Sequence, residues 1–172
     1  YVKNYLNSNK EFQKIVGIRF FNVYGPNEFH KGNMASPIHK FNQQLMNEGS
    51  IKLFKAYGGY SDGMHKRDFV YVKDCIKLIY WFLKNQKING IFNCGTGTTS
   101  SFLDVASSLI NNFGKGDIKF IDFPDHLKNA YQVYTCADLN DLRKSGYKEE
   151  FTSLEKGIND IFNLCDSNFF FK

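Results

Sequence analysis

The segment Ile15-Val-Gly-Ile-Arg-Phe-Phe-Asn-Val23 constrains the fold more than any other. Ile15, Val16, Ile18, Phe20, Phe21 and Val23 form a near-continuous apolar run. Such a run suits a strand buried on both faces of a parallel sheet. Arg19 interrupts it and reads as a contact at an edge or end of that sheet. The run stops at Gly25-Pro26, and Asn27-Glu-Phe-His-Lys-Gly-Asn-Met-Ala-Ser36 then presents polar groups before the next helix. In open α/β sheets, ligands collect just past the carboxyl ends of strands.

The rest of the chain alternates helix and strand. Tyr1 to Phe12 reads as the end of a helix. Met34 to Asn47 carries Ile38, Phe41 and Leu45 at helical spacing, with Pro37 in the first turn, where a missing N–H costs little. Ile51 to Phe54 reads as a short strand, and Lys55 to Lys66 as a long glycine-bearing loop. Arg67 to Val72 leads into a helix to about Lys84, whose expected apolar stripe is Val72, Cys75, Ile76, Ile79 and Leu83. Gly90 to Cys94 is a strand, and Ser101 with Asp104 approximates a capping box for a helix through Phe113. Ile118 to Ile121 is a strand, Asp122 to Ala137 is irregular, and Leu139 to Lys144 is a short helix. Thr152-Ser-Leu-Glu155 reads as a capping box for a last helix buried through Leu154, Ile158, Ile161 and Phe162. This alternation predicts an α/β fold.

The chain has 172 residues, enough for one core of ordinary size, and 42% are hydrophobic. Its 22 basic and 17 acidic residues leave a net charge of +5 without a basic run. That fits an anionic ligand better than nucleic acid. No stretch approaches the ~18 apolar residues of a membrane span, and no signal-peptide pattern opens the chain. Cys75, Cys94, Cys136 and Cys165 form no C-x-x-C pair, so buried free thiols and a reducing cytoplasm are expected. The chain begins at Tyr1, inside an apparent helix, and reads as the carboxyl-terminal part of a longer protein.

Two short motifs are decoys. Gly95-Thr-Gly97 follows a strand and precedes a helix, but it lacks the third glycine and the acidic residue of a dinucleotide fingerprint. A tight turn accounts for it better. Tyr80-Trp-Phe-Leu-Lys84 matches Tyr-x-x-x-Lys, yet it lies among large apolar residues of a helix.

Asn22-Val-Tyr-Gly-Pro26 followed by His30-Lys31-Gly32 resembles the ADP-glyceromanno-heptose 6-epimerases, a family of extended short-chain dehydrogenase/reductases. Phe-Asn-Cys-Gly-Thr-Gly, Thr-x-Ala-Asp-Leu and Leu-Arg-x-x-Gly-Tyr also fit, and the likeness runs from Tyr1 to about Phe162. It implies the carboxyl-terminal part of a Rossmann-type doubly wound sheet plus a small α/β substrate-binding domain. The expected division is 1–25 as the end of the Rossmann domain, 26–68 as a substrate-domain segment, 69–114 returning to the Rossmann side, and 115–172 as the carboxyl-terminal substrate domain. The family's Gly-rich loop and true Tyr-x-x-x-Lys would lie upstream of Tyr1.

The resemblance implies NADP as cofactor, an ADP-sugar as substrate, a homo-oligomer, and a role in lipopolysaccharide core heptose synthesis. It makes Lys31 the second acid/base. Epimerising a carbinol carbon through a ketone calls for proton handling in two substrate orientations, and a lysine can serve when burial or a neighbouring cation such as His30 lowers its pKa. A solvated lysine that attracts diphosphate is the alternative. Val23 would face the nicotinamide, and Asn22 and Asn33 the sugar. Lys40 stands where the family has a histidine. Phe54, Lys55, Ala56 and Tyr57 match a segment lining the nucleotide. Arg67 is the expected diphosphate ligand through its guanidinium fork, with an ion pair to Asp68 or a sheet-end contact as the alternative. Tyr131 matches a substrate tyrosine, although Ala130 replaces the arginine that usually precedes it. Competing functions are another nucleotide-sugar epimerase or dehydratase, and a non-catalytic nucleotide-sugar-binding module.

Overall fold

A computed structural model describes residues 15–165. The expected helix at Tyr1 to Phe12 and the tail at Phe169 to Phe171 lie outside the described residues. The opening apolar run is two strands rather than one. β1 (Val16–Phe20) pairs in parallel with β6 (Gly90–Cys94), and β2 (Asn22–Tyr24) pairs in parallel with β5 (Phe69–Tyr71). The change of partner falls at Phe21, whose N–H donates to the Cys94 carbonyl at 2.9 Å, whereas the Asn22 N–H donates to the Asp68 carbonyl at 3.1 Å. Burial on both faces belongs to β5, not β1. Phe69, Val70 and Tyr71 are all buried, while β1 is half-buried and leaves Arg19 and Phe20 exposed.

β5 separates two cores because its side chains alternate. Phe69 and Tyr71 join a cluster formed by α1 (Pro37–Glu48), β3 (Ser50–Phe54), α3 (Phe102–Phe113) and α5 (Leu154–Cys165). Val70 joins the other, with α2 (Val72–Lys84), β6, Leu142 of α4 (Asn140–Lys144) and Tyr147. β3 pairs in parallel with β8 (Asp117–Ile121), and β4 (Lys66–Arg67) pairs antiparallel with β7 (Ser100–Ser101).

Local chemistry sets the helix ends. Ser36 caps α1 by accepting the His39 N–H at 3.2 Å, and Gly49 closes it at φ +66°, a conformation that suits a residue without Cβ. Ser101 and Asp104 make the reciprocal capping box expected for α3. The expected box at Thr152 is not one. The Thr152 N–H and Oγ1 both donate to the buried Asp74 carboxylate, at 2.6 and 3.0 Å, and Ser153 Oγ instead receives the Lys156 N–H at 3.3 Å. The stripe on α2 also needs correction. Cys75, Leu78 and Phe82 are buried, whereas Ile76, Ile79, Tyr80 and Leu83 are exposed. Two apolar series share this helix at helical spacing, and contact with β6 selects one of them.

Candidate functional site

Asp68, just before β5, is fully buried and gathers the turn after β6 and the segment before α4. Its carboxylate accepts the Thr96 N–H at 2.7 Å, the Thr96 hydroxyl at 2.7 Å, the Gly97 N–H at 2.9 Å and the Ala137 N–H at 3.0 Å. The Gly95-Thr-Gly97 turn therefore has its Thr96 and Gly97 N–H groups occupied from within the protein, consistent with a tight turn rather than a phosphate cradle. Asn22 is held in the same knot. Its Nδ2 donates to the Asp68 carbonyl at 3.1 Å and to Thr135 Oγ1 at 3.3 Å, so its Oδ1 is the atom left to meet a ligand. Val23 lies beside Asn22, paired with Val70 and packed on the second core.

Beyond Gly25, a 3₁₀ turn at Phe29–Met34 carries Lys31 and Asn33. The Lys31 ammonium stands 3.4 Å from a Glu28 oxygen and is 40% exposed, against 3% for the Glu28 side chain. The Asn33 carbonyl accepts Lys40 Nζ at 2.7 Å.

Lys40 also lines a cleft of about 450 Å³ with Phe41, Phe54, His65, Phe102 and Tyr131. The Arg67 guanidinium packs against two of those rings, 5.0 Å from the Tyr131 centroid and 5.7 Å from that of Phe102. Arg67 is only 8% exposed and donates to the Lys66 carbonyl at 2.9 Å. Among the described residues no carboxylate lies within ion-pair reach of it, and Asp68 points its oxygens elsewhere. Burial lowers its pKa, and the Tyr131 phenol partly offsets this. Burial likewise raises the pKa of Tyr131. Burying a cation without an anion is costly, and a guanidinium fork is suited to a bidentate oxyanion.

The remaining expected residues divide between two places. Phe54 stays with the cleft, its ring 6.2 Å from Tyr131. Lys55, Ala56 and Tyr57 line a separate open recess with Asp122 and Lys128. There Lys55 pairs with Asp122 at 2.8 Å, the Ala56 N–H donates to Asp62 at 2.7 Å, and the Tyr57 hydroxyl donates to the Lys128 carbonyl. The Tyr57 ring stacks on Phe123 at 4.2 Å.

Three residues of this region escaped the sequence reading. Glu28 and Asp68 look like ordinary surface carboxylates in the chain but are buried acceptors. His65, 1% exposed, sits among aromatic rings with Nε2 3.0 Å from the Tyr57 carbonyl, and burial lowers its pKa. No local pattern around these three marks them.

Residues 1–95 match the NAD dependent epimerase/dehydratase family. The chain belongs to that family. It is 46% identical over 163 residues to the ADP-L-glycero-D-manno-heptose-6-epimerase of Alkalilimnicola ehrlichii, covering 95% of this chain and 50% of that protein. Its fold is similar to that of the Helicobacter pylori ADP-L-glycero-D-manno-heptose-6-epimerase, with a TM-score of 0.78 and 26% identity over 96% of this chain and 48% of that one. The UDP-N-acetylglucosamine 4-epimerase of Methanobrevibacter ruminantium shares the fold, with a TM-score of 0.76 and 23% identity over 97% of this chain and 50% of that one. The chain spans about half the length of these relatives. The fold class read from the sequence, a Rossmann-type α/β arrangement of an extended reductase, agrees with them.

Proposed function

We propose that this chain is the carboxyl-terminal half of an NADP-dependent ADP-glyceromanno-heptose 6-epimerase. The complete enzyme would interconvert the C6 epimers of the nucleotide-activated heptose in the cytoplasm, as a homo-oligomer. The observation that carries the reading is Arg67, a buried guanidinium with no carboxylate partner among the described residues, set against rings that line an apolar cleft. A diphosphate supplies the missing anion, and the likeness to heptose 6-epimerases supplies the sugar class.

This chain's residues would divide the work. Arg67 and Tyr131 hold the diphosphate end, with Phe54 and Lys40 along the cleft. Asn22 Oδ1 accepts from a sugar hydroxyl, Asn33 offers a second sugar contact, and Lys31 moves a proton at the C6 oxygen. Lys55, Ala56 and Tyr57 border the neighbouring recess, where the nucleotide's outer end would lie. When bound, the nicotinamide takes up and returns the hydride. Val23 is the contact this chain offers it. The Thr96 and Gly97 N–H groups are spent on Asp68, so the dinucleotide phosphates need a cradle from outside these residues. β1, paired along one edge among the described residues and half-buried, is where the sheet would continue into that other half.

The test is turnover by the complete protein with ADP- and UDP-linked sugars. Epimerisation of the ADP-heptose, with Arg67→Met raising KM about 100-fold and Lys31→Met nearly abolishing kcat, is the expected result. Preference for a UDP-hexose would overturn the substrate assignment. The 172-residue chain alone should be inactive, and measurable epimerisation by it would contradict the division of labour.

A further inference from the structure

We propose that Glu28 is the positioning residue for Lys31, fixing from a buried carboxylate where the ammonium can stand. This rests on the acid/base role assigned to Lys31 above. Glu28 is 2% exposed. It follows Asn27, whose φ of +63° turns the chain back towards the protein. Oε1 accepts the Gly25 N–H at 3.1 Å and the Ser36 hydroxyl at 2.7 Å, while Oε2 accepts the Ser36 N–H at 2.8 Å and Lys31 Nζ at 3.4 Å. Gly25 leaves β2 and Ser36 caps α1, so one carboxylate ties both ends of the loop that carries Lys31.

The four donors fill the acceptor sites of both oxygens. A carboxylate taken out of water gains from a counter-charge beside it, and among the described residues Lys31 is the cation within ion-pair reach. The carboxylate bridges the two ends of the loop and holds the lysine between them. Glutamine cannot replace it. Either orientation of its amide turns an NH₂ towards the Gly25 or the Ser36 N–H.

In the complete enzyme, Lys31→Met must first remove turnover. Undiminished kcat in that variant sinks the role of Lys31 and this proposal together. With Lys31→Met inactive, Glu28→Gln should lower kcat about 10- to 100-fold and raise KM by less than about fivefold, because Arg67 and Tyr131, assigned above to the diphosphate end, lie outside this loop. The double variant should be no slower than Lys31→Met alone, since Glu28 acts through Lys31. Parental kcat in Glu28→Gln, or losses that multiply in the double variant, overturns the proposal while leaving Lys31 its role. If Glu28→Gln does not fold, the thermal midpoints of Lys31→Met and Lys31→Arg decide. Loss of the counter-charge should place the Met variant about 2–4 °C below the Arg variant, and equal midpoints overturn the coupling.

Discussion

Asp68 shows how much a single side chain can hold at the residue scale. It accepts three backbone N–H groups and a hydroxyl from segments far apart in the chain, and its own carbonyl takes the Asn22 N–H and Nδ2. Asp68→Asn keeps the shape but points an NH₂ at donors. It should lower the unfolding free energy by about 2–4 kcal/mol in urea titrations. Gly157 is the second such position. A Cβ there would meet Tyr24 Oη at 2.0 Å, with the ring buried and unable to yield freely. Gly157→Ala should cost about 1–3 kcal/mol despite the better helix propensity of alanine, and Tyr24→Phe in the same chain should recover part of the loss. A cost near zero in the single variant would mean that α5 shifts without resistance.

Helix α2 carries the lesson at the scale of elements. Its apolar residues cover more of the cylinder than the second core can bury. Leu78 is fully buried against that core, so Leu78→Ala should destabilise the chain by about 2–5 kcal/mol. Ile79 is 40% exposed, and Ile79→Lys in this chain should change stability by no more than about 0.5 kcal/mol. Denaturation of the two variants side by side separates the faces. For α3 the decisive contacts are local. Ser101→Ala removes the hydroxyl half of the capping box, leaving the backbone N–H of residue 101 on Asp104, and should cost about 1 kcal/mol.

For the whole molecule, two cores share β5, so their unfolding should be one transition. Its pH dependence follows from groups buried neutral. Desolvation pushes Tyr147 up from 10.0 to about 12, and Tyr24 is raised as well, again chiefly by burial. A raised tyrosine keeps its proton longer in the fold than in the unfolded chain. Its contribution is complete below pH 10 and drains away as pH climbs towards 12. Burial lowers His39 and His65 from 6.5. The unfolded chain then takes up protons first, so their contribution is full above pH 6.5 and is lost as pH falls through the folded values. Stability should therefore be flat from about pH 7 to 9 and fall on both sides, as read from urea midpoints across pH. A midpoint still rising at pH 11 would contradict the burial of the two tyrosines.

Sequence alone determined the helices α1 to α5, the strands β3, β6 and β8, the stop at Gly25-Pro26, the cap at Ser101 and Asp104, and the family likeness. These depend on hydrophobic period, turn chemistry and hydrogen bonds between near neighbours, all of which are written locally. Tertiary structure decided the rest. It split the apolar run at Phe21, because two different strands compete for its backbone. It chose which face of α2 is buried, turned Thr152 from a presumed cap into a tether for Asp74, and moved Lys55 away from the cleft that Phe54 lines. It also made buried anchors of Glu28 and Asp68 and, among the described residues, set no carboxylate beside Arg67. A charged side chain reads the same whether it is solvated, paired or stranded. Which of these it is depends on what distant parts of the chain bring to its side, and local spacing carries no record of that.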